Sequence, residues 1–208
     1  MTFKKVVGTF IFTDIVQSSK LWRKHKNNMS KAIEKHEKIV ERIAKKNKGI
    51  IVKSLGDSFM LFFKGKTSYN NALKFSIEFM NNIRKKPIKL GKDKINFRIG
   101  GAFGDALQHA STIQGKKLCD FFGNAVNLAS RMESVVAGKG EIAISFYNEK
   151  KWKPSHKYEI RDYRKGCRIP RIRKRSERLI TSYSCFLPET LKGAKPVKVY
   201  VFKECQIK

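Results

Sequence analysis

Acidic residues are scarce in this chain: 17 aspartates and glutamates stand against 46 lysines and arginines, a net charge of +29 over 208 residues. Such a field attracts polyanions, whether nucleotides, nucleic acid or anionic lipid. Lysine greatly outnumbers arginine and is scattered over every predicted element, so a general compositional bias accounts for most of it. Cysteine is also sparse. Cys119, Cys167, Cys185 and Cys205 are widely spaced with no C-x-x-C pair, which argues against a zinc pattern or a dense disulfide framework and predicts reduced thiols. His25, His36, His109 and His156 lack metal-ligand spacing and read as surface or core residues. No G-x-x-x-x-G-K-[ST] run occurs, and Gly138-Lys139-Gly140 resembles a phosphate loop only superficially. No Ser-His-Asp arrangement can be argued. No stretch approaches the roughly 18–20 apolar residues of a membrane span. Met1-Thr2-Phe3-Lys4-Lys5 resembles a signal n-region, but the apolar run behind it is short and meets Asp14 without a cleavage site. The expectation is a soluble, cytoplasmic protein.

What is present suits one well-buried α/β domain over residues 1–208, with 41% hydrophobic residues. Residues 6–13 read as a first strand. A basic amphipathic helix follows over about 30–48, with Ala32, Ile33, His36, Ile39, Val40, Ile43 and Ala44 at helical spacing and Asn47-Lys48-Gly49 as its stop. Strands 50–53 and 58–63 form a hairpin, and the two-faced apolar character of the second implies a central place in a sheet. A helix at 68–84 and a strand at 95–103 complete the order β-α-β-β-α-β, which suggests a ferredoxin-like core. A polar stretch from Asp105 to Lys117 reads as an extended arm or hairpin. A helix at 124–136 and strands at 141–145, 180–187 and 197–203 follow. Between them, 161–178 carries nine basic residues against Asp162 and Glu177, loses apolar periodicity and contains Pro170; it reads as an inserted basic loop.

Two aspartates stand at strand–turn junctions. Asp14 closes Val6-Val7-Gly8-Thr9-Phe10-Ile11-Phe12-Thr13, and Asp57 sits in Ser54-Leu55-Gly56-Asp57-Ser58 ahead of Phe59-Met60-Leu61-Phe62-Phe63. Aspartate is a poor strand former and costly to bury unpaired. Brought together by adjacent strands, two carboxylates make a hard oxygen site for Mg²⁺ or Mn²⁺, which points to phosphoryl or nucleotidyl chemistry. The plainer reading makes Asp14 a helix cap and Asp57 a turn residue.

Phe12-Thr13-Asp14-Ile15, Lys53-Ser54-Leu55-Gly56-Asp57, Asp120-Phe121-Phe122-Gly123-Asn124-Ala125-Val126-Asn127-Leu128-Ala129-Ser130-Arg131 and Leu191-Lys192-Gly193-Ala194-Lys195-Pro196-Val197-Lys198-Val199-Tyr200 together resemble the class III nucleotidyl cyclase catalytic domain. The match runs in order over nearly the whole chain, with 161–178 as its main departure. The resemblance implies an α+β fold with a mostly antiparallel central sheet, flanking helices and a C-terminal extension. It also implies an adenylate cyclase converting ATP to 3′,5′-cyclic AMP and pyrophosphate. In the family, Asp14, Asp57 and the Ile15 backbone carbonyl would hold two Mg²⁺ or Mn²⁺, and Lys53 and Asp120 would select the purine. Adenine offers an acceptor at N1 and an amino donor at N6, which match an ammonium and a carboxylate; guanine inverts both. Asn127 would orient the ribose, Arg131 would stabilise the transition state at the α-phosphate, and Lys192 would meet the terminal phosphates. The Ile15–Ser19 loop would turn backbone N–H groups to the triphosphate at a helix start. Metal and base-selecting residues come from different subunits in the family, so a head-to-tail homodimer is implied. Two other readings stay open: a cyclase acting on GTP or a pyrimidine nucleotide, and a catalytically idle module holding nucleic acid or an anionic membrane through 161–178.

Overall fold

The computed structural model describes residues 2–146, 160–162, 180–186 and 198–204. Strand β1 (Thr2–Ile15) leads into helix α1 (Ser18–Lys46), hairpin β2 (Ile50–Leu55) and β3 (Ser58–Lys64), then helix α2 (Ser68–Lys85). A short hairpin, β4 (Lys89–Leu90) and β5 (Asp93–Lys94), precedes the long β6 (Phe97–Ile113) and its partner β7 (Lys116–Phe122). Helix α3 (Asn124–Arg131) runs into one π-helical turn at Met132–Val136, followed by β8 (Glu141–Phe146), β9 (Ile160–Asp162), β10 (Ile180–Phe186) and β11 (Lys198–Glu204).

The principal sheet has the order β2-β3-β1-β6-β8-β11-β10-β9, with β7 paired to β6. Its first four strands are mutually antiparallel, β1 lying between β3 and β6. Helix α1 joins β1 to β2 and α2 joins β3 to β6, so the expected ferredoxin-like core is present. Side-chain alternation along the strands sends Ile11, Ile15, Phe59, Leu61 and Phe63 to one face, where Val40 and Ile43 of α1 and Phe75 and Phe79 of α2 cover them. Phe10, Phe12, Met60, Phe62 and Phe121 point the other way and are covered by Ala125, Leu128, Ala129 and Met132. Both faces of β3 are therefore buried, which is why it reads as an unbroken apolar run.

Several boundaries differ from the sequence reading. Helix α1 begins at Ser18, twelve residues before the predicted start. Its backbone leaves helical geometry at His25 (φ −134°, ψ 38°), and the basic residues around that break mask the half-buried Leu21 and His25 and the buried Met29. The stretch 105–117 is an arm: β6 continues to Ile113, and Gln114 and Gly115 turn with φ of 50° and 77° into β7. The predicted helix at 124–136 changes type at Met132, where the Ala137 amide donates to the Met132 carbonyl at 2.8 Å. Gly100 underlies that turn, since a Cβ there would lie 1.9 Å from the Glu133 amide nitrogen. Ile160–Asp162 pairs with β10 as a strand, trimming the predicted basic loop at its start. The rest of that segment, 163–178, and Lys192 lie outside the described residues. Among the described residues no helix is long and apolar enough to cross a membrane.

Candidate active site

Sheet register brings Asp14 and Asp57 to one place. Thr13 pairs with Phe59 across β1 and β3, and the Ser58 hydroxyl donates to the Thr13 carbonyl at 2.7 Å, so the Gly56–Asp57 turn is pinned beside the end of β1. Asp57 is half-buried. Its Oδ2 is buried without a hydrogen-bond partner, while the Ser18 hydroxyl at the start of α1 donates to the carboxylate. Burial raises the Asp57 pKa above the ordinary carboxylate value, and the charge of Asp14 adds to that rise. Ile15 closes β1 with its side chain in the core, so only its backbone is offered to a ligand. Val16 and Gln17 then turn the chain, Gln17 in the left-handed region at φ 58°, into the first turn of α1.

Two residues that the sequence reading missed complete this cluster. Arg98 is the direct cross-strand partner of Asp14, and its Nε and Nη2 donate to Asp14 Oδ2 at 3.0 and 2.8 Å. Its Nη1 donates to the Ser134 carbonyl at 3.1 Å. Glu133, buried in the π-helical turn, places Oε1 2.5 Å from Arg98 Nε without hydrogen-bond geometry. Its pKa is raised to about 7, chiefly by burial and then by the charge of Asp14, with Arg98 opposing. The available signal was a lone arginine in the apolar strand Phe97-Arg98-Ile99, whose neighbours point to the opposite face. Glu133 gave no comparable signal, because an acid near the end of a predicted helix ordinarily faces water.

A second pair lies apart from the first. Lys53 Nζ donates to Asp120 Oδ2 at 2.5 Å, and Asp120 Oδ1 accepts from the Phe121 amide at 2.8 Å. The side chains are about one-third exposed, and both line a cleft of about 760 Å³ with Val52, Phe62, Gln108 and His109. Lys53 enters it beside a register shift between Ile51 and Lys53 in β2. No hydrogen bond or ion pair among the described residues joins Lys53 or Asp120 to Asp14 or Asp57. Asn127 and Arg131 lie one turn apart on α3, exposed and half-buried respectively, and neither is bonded to the two aspartates.

The chemistry of the donor set suits hard cations. Asp57 Oδ2 is a buried oxygen lacking a donor, and a second carboxylate stands close enough to perturb it. Among the described residues no three His, Cys, Asp or Glu side chains form a ready-made metal cluster, so two carboxylates and a backbone carbonyl are the set on offer.

This fold is that of the nucleotide cyclases. The structure superposes on the guanylate cyclase domain of RhGC from Catenaria anguillulae in complex with GTP with a TM-score of 0.72, at 19% identity and covering 98% of this chain and all of that one. It matches the adenylyl cyclase CyaB from P. aeruginosa with a TM-score of 0.66, at 18% identity and covering 99% of this chain and 98% of that one. In sequence, residues 3–166 match the profile described as the adenylate and guanylate cyclase catalytic domain. The chain belongs to that family. It is 30% identical over 153 residues to an adenylate cyclase of Schizosaccharomyces pombe and 29% identical over 150 residues to one of Podospora anserina. Each match covers 65% of this chain but only 9% and 7% of those much longer proteins.

Proposed function

We propose that the chain is an adenylate cyclase, converting ATP to 3′,5′-cyclic AMP and pyrophosphate. The observation that carries this reading is the Asp14–Asp57 pair, with a buried, unpartnered carboxylate oxygen at a turn pinned to the end of β1. Two carboxylates and the Ile15 carbonyl would hold two Mg²⁺ or Mn²⁺, as the family uses divalent metals. When bound, such ions supply charge neutralisation of the triphosphate and acidify the ribose 3′-hydroxyl. The reaction joins O3′ to the α-phosphorus, breaks the α–β bridging bond and releases pyrophosphate and a proton.

The chain's own residues supply recognition. Lys53 would donate to adenine N1 and Asp120 accept from the N6 amino group. The two already face each other at 2.5 Å, so a base entering the cleft exchanges one set of charge-assisted hydrogen bonds for another. Guanine would set a donor against Lys53 and an acceptor against Asp120, leaving polar groups unpaired at a cost of a few kcal/mol. Asn127 would orient the ribose, and the Arg131 guanidinium would meet charge developing at the α-phosphate. Lys192 would contact the terminal phosphates. Arg98 fixes the Asp14 carboxylate, and Glu133 crowds the same Arg98 Nε.

Within one chain the metal-binding pair and the base-selecting pair make no bond to each other, which supports a site shared by two copies arranged head to tail. Incubation of the protein with Mn²⁺ or Mg²⁺ and each of ATP, GTP, CTP and UTP tests the whole reading. Cyclic AMP and pyrophosphate in equal amounts are expected. Equal or greater turnover of another nucleotide would refute the base assignment, and no cyclic product from any of the four would refute the activity.

A further inference from the structure

The +29 charge is unevenly placed, and the fold gathers part of it on one surface. The first half of α1, residues 18–33, carries Lys20, Arg23, Lys24, Lys26 and Lys31 and no acid. The second half mixes its cations with Glu34, Glu37 and Glu41. This reverses ordinary helix electrostatics, in which the positive end of the macrodipole favours acids in the first turn and disfavours lysine. The end of α2 and the β4–β5 hairpin, residues 84–94, add Arg84, Lys85, Lys86, Lys89, Lys92 and Lys94 with Asp93 as the one acid.

Tertiary structure makes these two stretches neighbours. His25 Nε2 and Lys24 Nζ each meet Asp93 Oδ2 at 2.7 Å, which ties the break in α1 to the hairpin and uses up its only negative charge. All eleven lysines and arginines are exposed, and their net charge of +10 is about a third of the total from 27 residues. Trp22 stands among them in sequence, between Leu21 and Arg23, and is 39% exposed. The surface lies on the α1–α2 side of the sheet, away from the face that carries α3 and the Lys53–Asp120 cleft.

We propose that this surface docks the protein on an anionic lipid membrane, with Trp22 entering the headgroup layer and the lysines facing the lipid phosphates and carboxylates. The chemistry favours lipid over nucleic acid. Nine of the eleven cations are lysine, point charges suited to a diffuse anionic surface, whereas guanidinium forks dominate reading of phosphates and base edges. An exposed indole suits a water–lipid interface. Docking there leaves the α3 face free for a second copy.

Sedimentation with phosphatidylcholine vesicles, with or without phosphatidylserine, tests the proposal on the whole chain. Binding is expected only with phosphatidylserine and should weaken with salt. A surface lysine is worth roughly fivefold in affinity, so Lys86→Gln, Lys89→Gln and Lys92→Gln together should lower binding at least about tenfold. An independent variant on the helix, Trp22→Ser with Lys26→Gln, should also weaken it, which guards against a misfolded hairpin. Lys4→Gln, Lys64→Gln and Lys116→Gln, exposed on β1, β3 and β7, remove equal charge away from α1 and the hairpin and should change binding less than about twofold. The proposal fails if the unaltered protein ignores phosphatidylserine or if that control loses as much as the hairpin variant. It also fails if the hairpin variant loses duplex-DNA binding, or kcat/KM for ATP, while vesicle binding stays intact; those results would assign the surface to nucleic acid or to nucleotide steering.

Discussion

His36 gives a prediction that needs no assumption about catalysis. The imidazole is fully buried on the inner side of α1, with ring centroids of Phe97, Phe59 and Phe79 at 4.6, 4.9 and 5.5 Å. Neither ring nitrogen has a hydrogen-bond partner. Burial alone lowers its pKa from 6.5 to about 3, because no acceptor or carboxylate stabilises the charged ring. Above pH 6.5 folded and unfolded chains both carry neutral imidazole, so the residue makes stability neither rise nor fall. Between 6.5 and about 3 only the unfolded chain binds the proton, and folding stability falls as pH falls. At about 1.4 kcal/mol per pH unit, the loss from this group between neutrality and pH 5 is about 2 kcal/mol. Urea unfolding of the protein and of His36→Leu at pH 7.5 and pH 5 isolates it, since other titrating groups cancel in the difference. The leucine variant should be as stable as the parent or more so at pH 7.5, having lost two unsatisfied nitrogens, and should lack the extra loss of about 2 kcal/mol at pH 5. Equal losses in both proteins would refute a dry, unpartnered imidazole.

The proposed two-copy site predicts complementation. Asp57→Ala and Arg131→Ala should each be inactive, and an equal mixture should recover roughly a quarter of the parent activity through heterodimers with one intact site. Heterodimers shown by native mass spectrometry without recovery would count against that arrangement. At the π-helical turn, a Cβ at position 100 would sit 1.9 and 2.3 Å from the Glu133 nitrogen and Cα, so Gly100→Ala must push the backbone away. A loss of about 1–3 kcal/mol is expected, read as a lower Tm, together with a fall in kcat as Glu133 and Arg98 leave Asp14. An unchanged Tm would show that the turn yields without cost.

The core was readable because its signals are local. Apolar pairs on both faces of Phe59–Phe63 announced a central strand, and the stripe from Ala32 to Ala44 announced the second half of α1. The first half escaped notice because its lysines serve a surface rather than the core, and because the break at His25 shifts the period. Asp14, Asp57, Lys53 and Asp120 stood out as charged residues at strand ends or in recognisable runs. Arg98 and Glu133 did not, since their partners are distant in sequence: Arg98 meets Asp14 across 84 residues, through register alone.

The sequence by itself determined the core strands and helices, the two apolar faces of the sheet and the residue types proposed to hold a hard cation and a purine. Those follow from side-chain periodicity and functional-group chemistry, which act over a few residues. Tertiary structure alone decided that Arg98 and Glu133 crowd Asp14, that His36 lies dry among three phenylalanines, and that Asp93 joins two basic stretches into one surface. Each depends on strand register or helix packing, in which a contact is set by the whole sheet rather than by its neighbours in the chain.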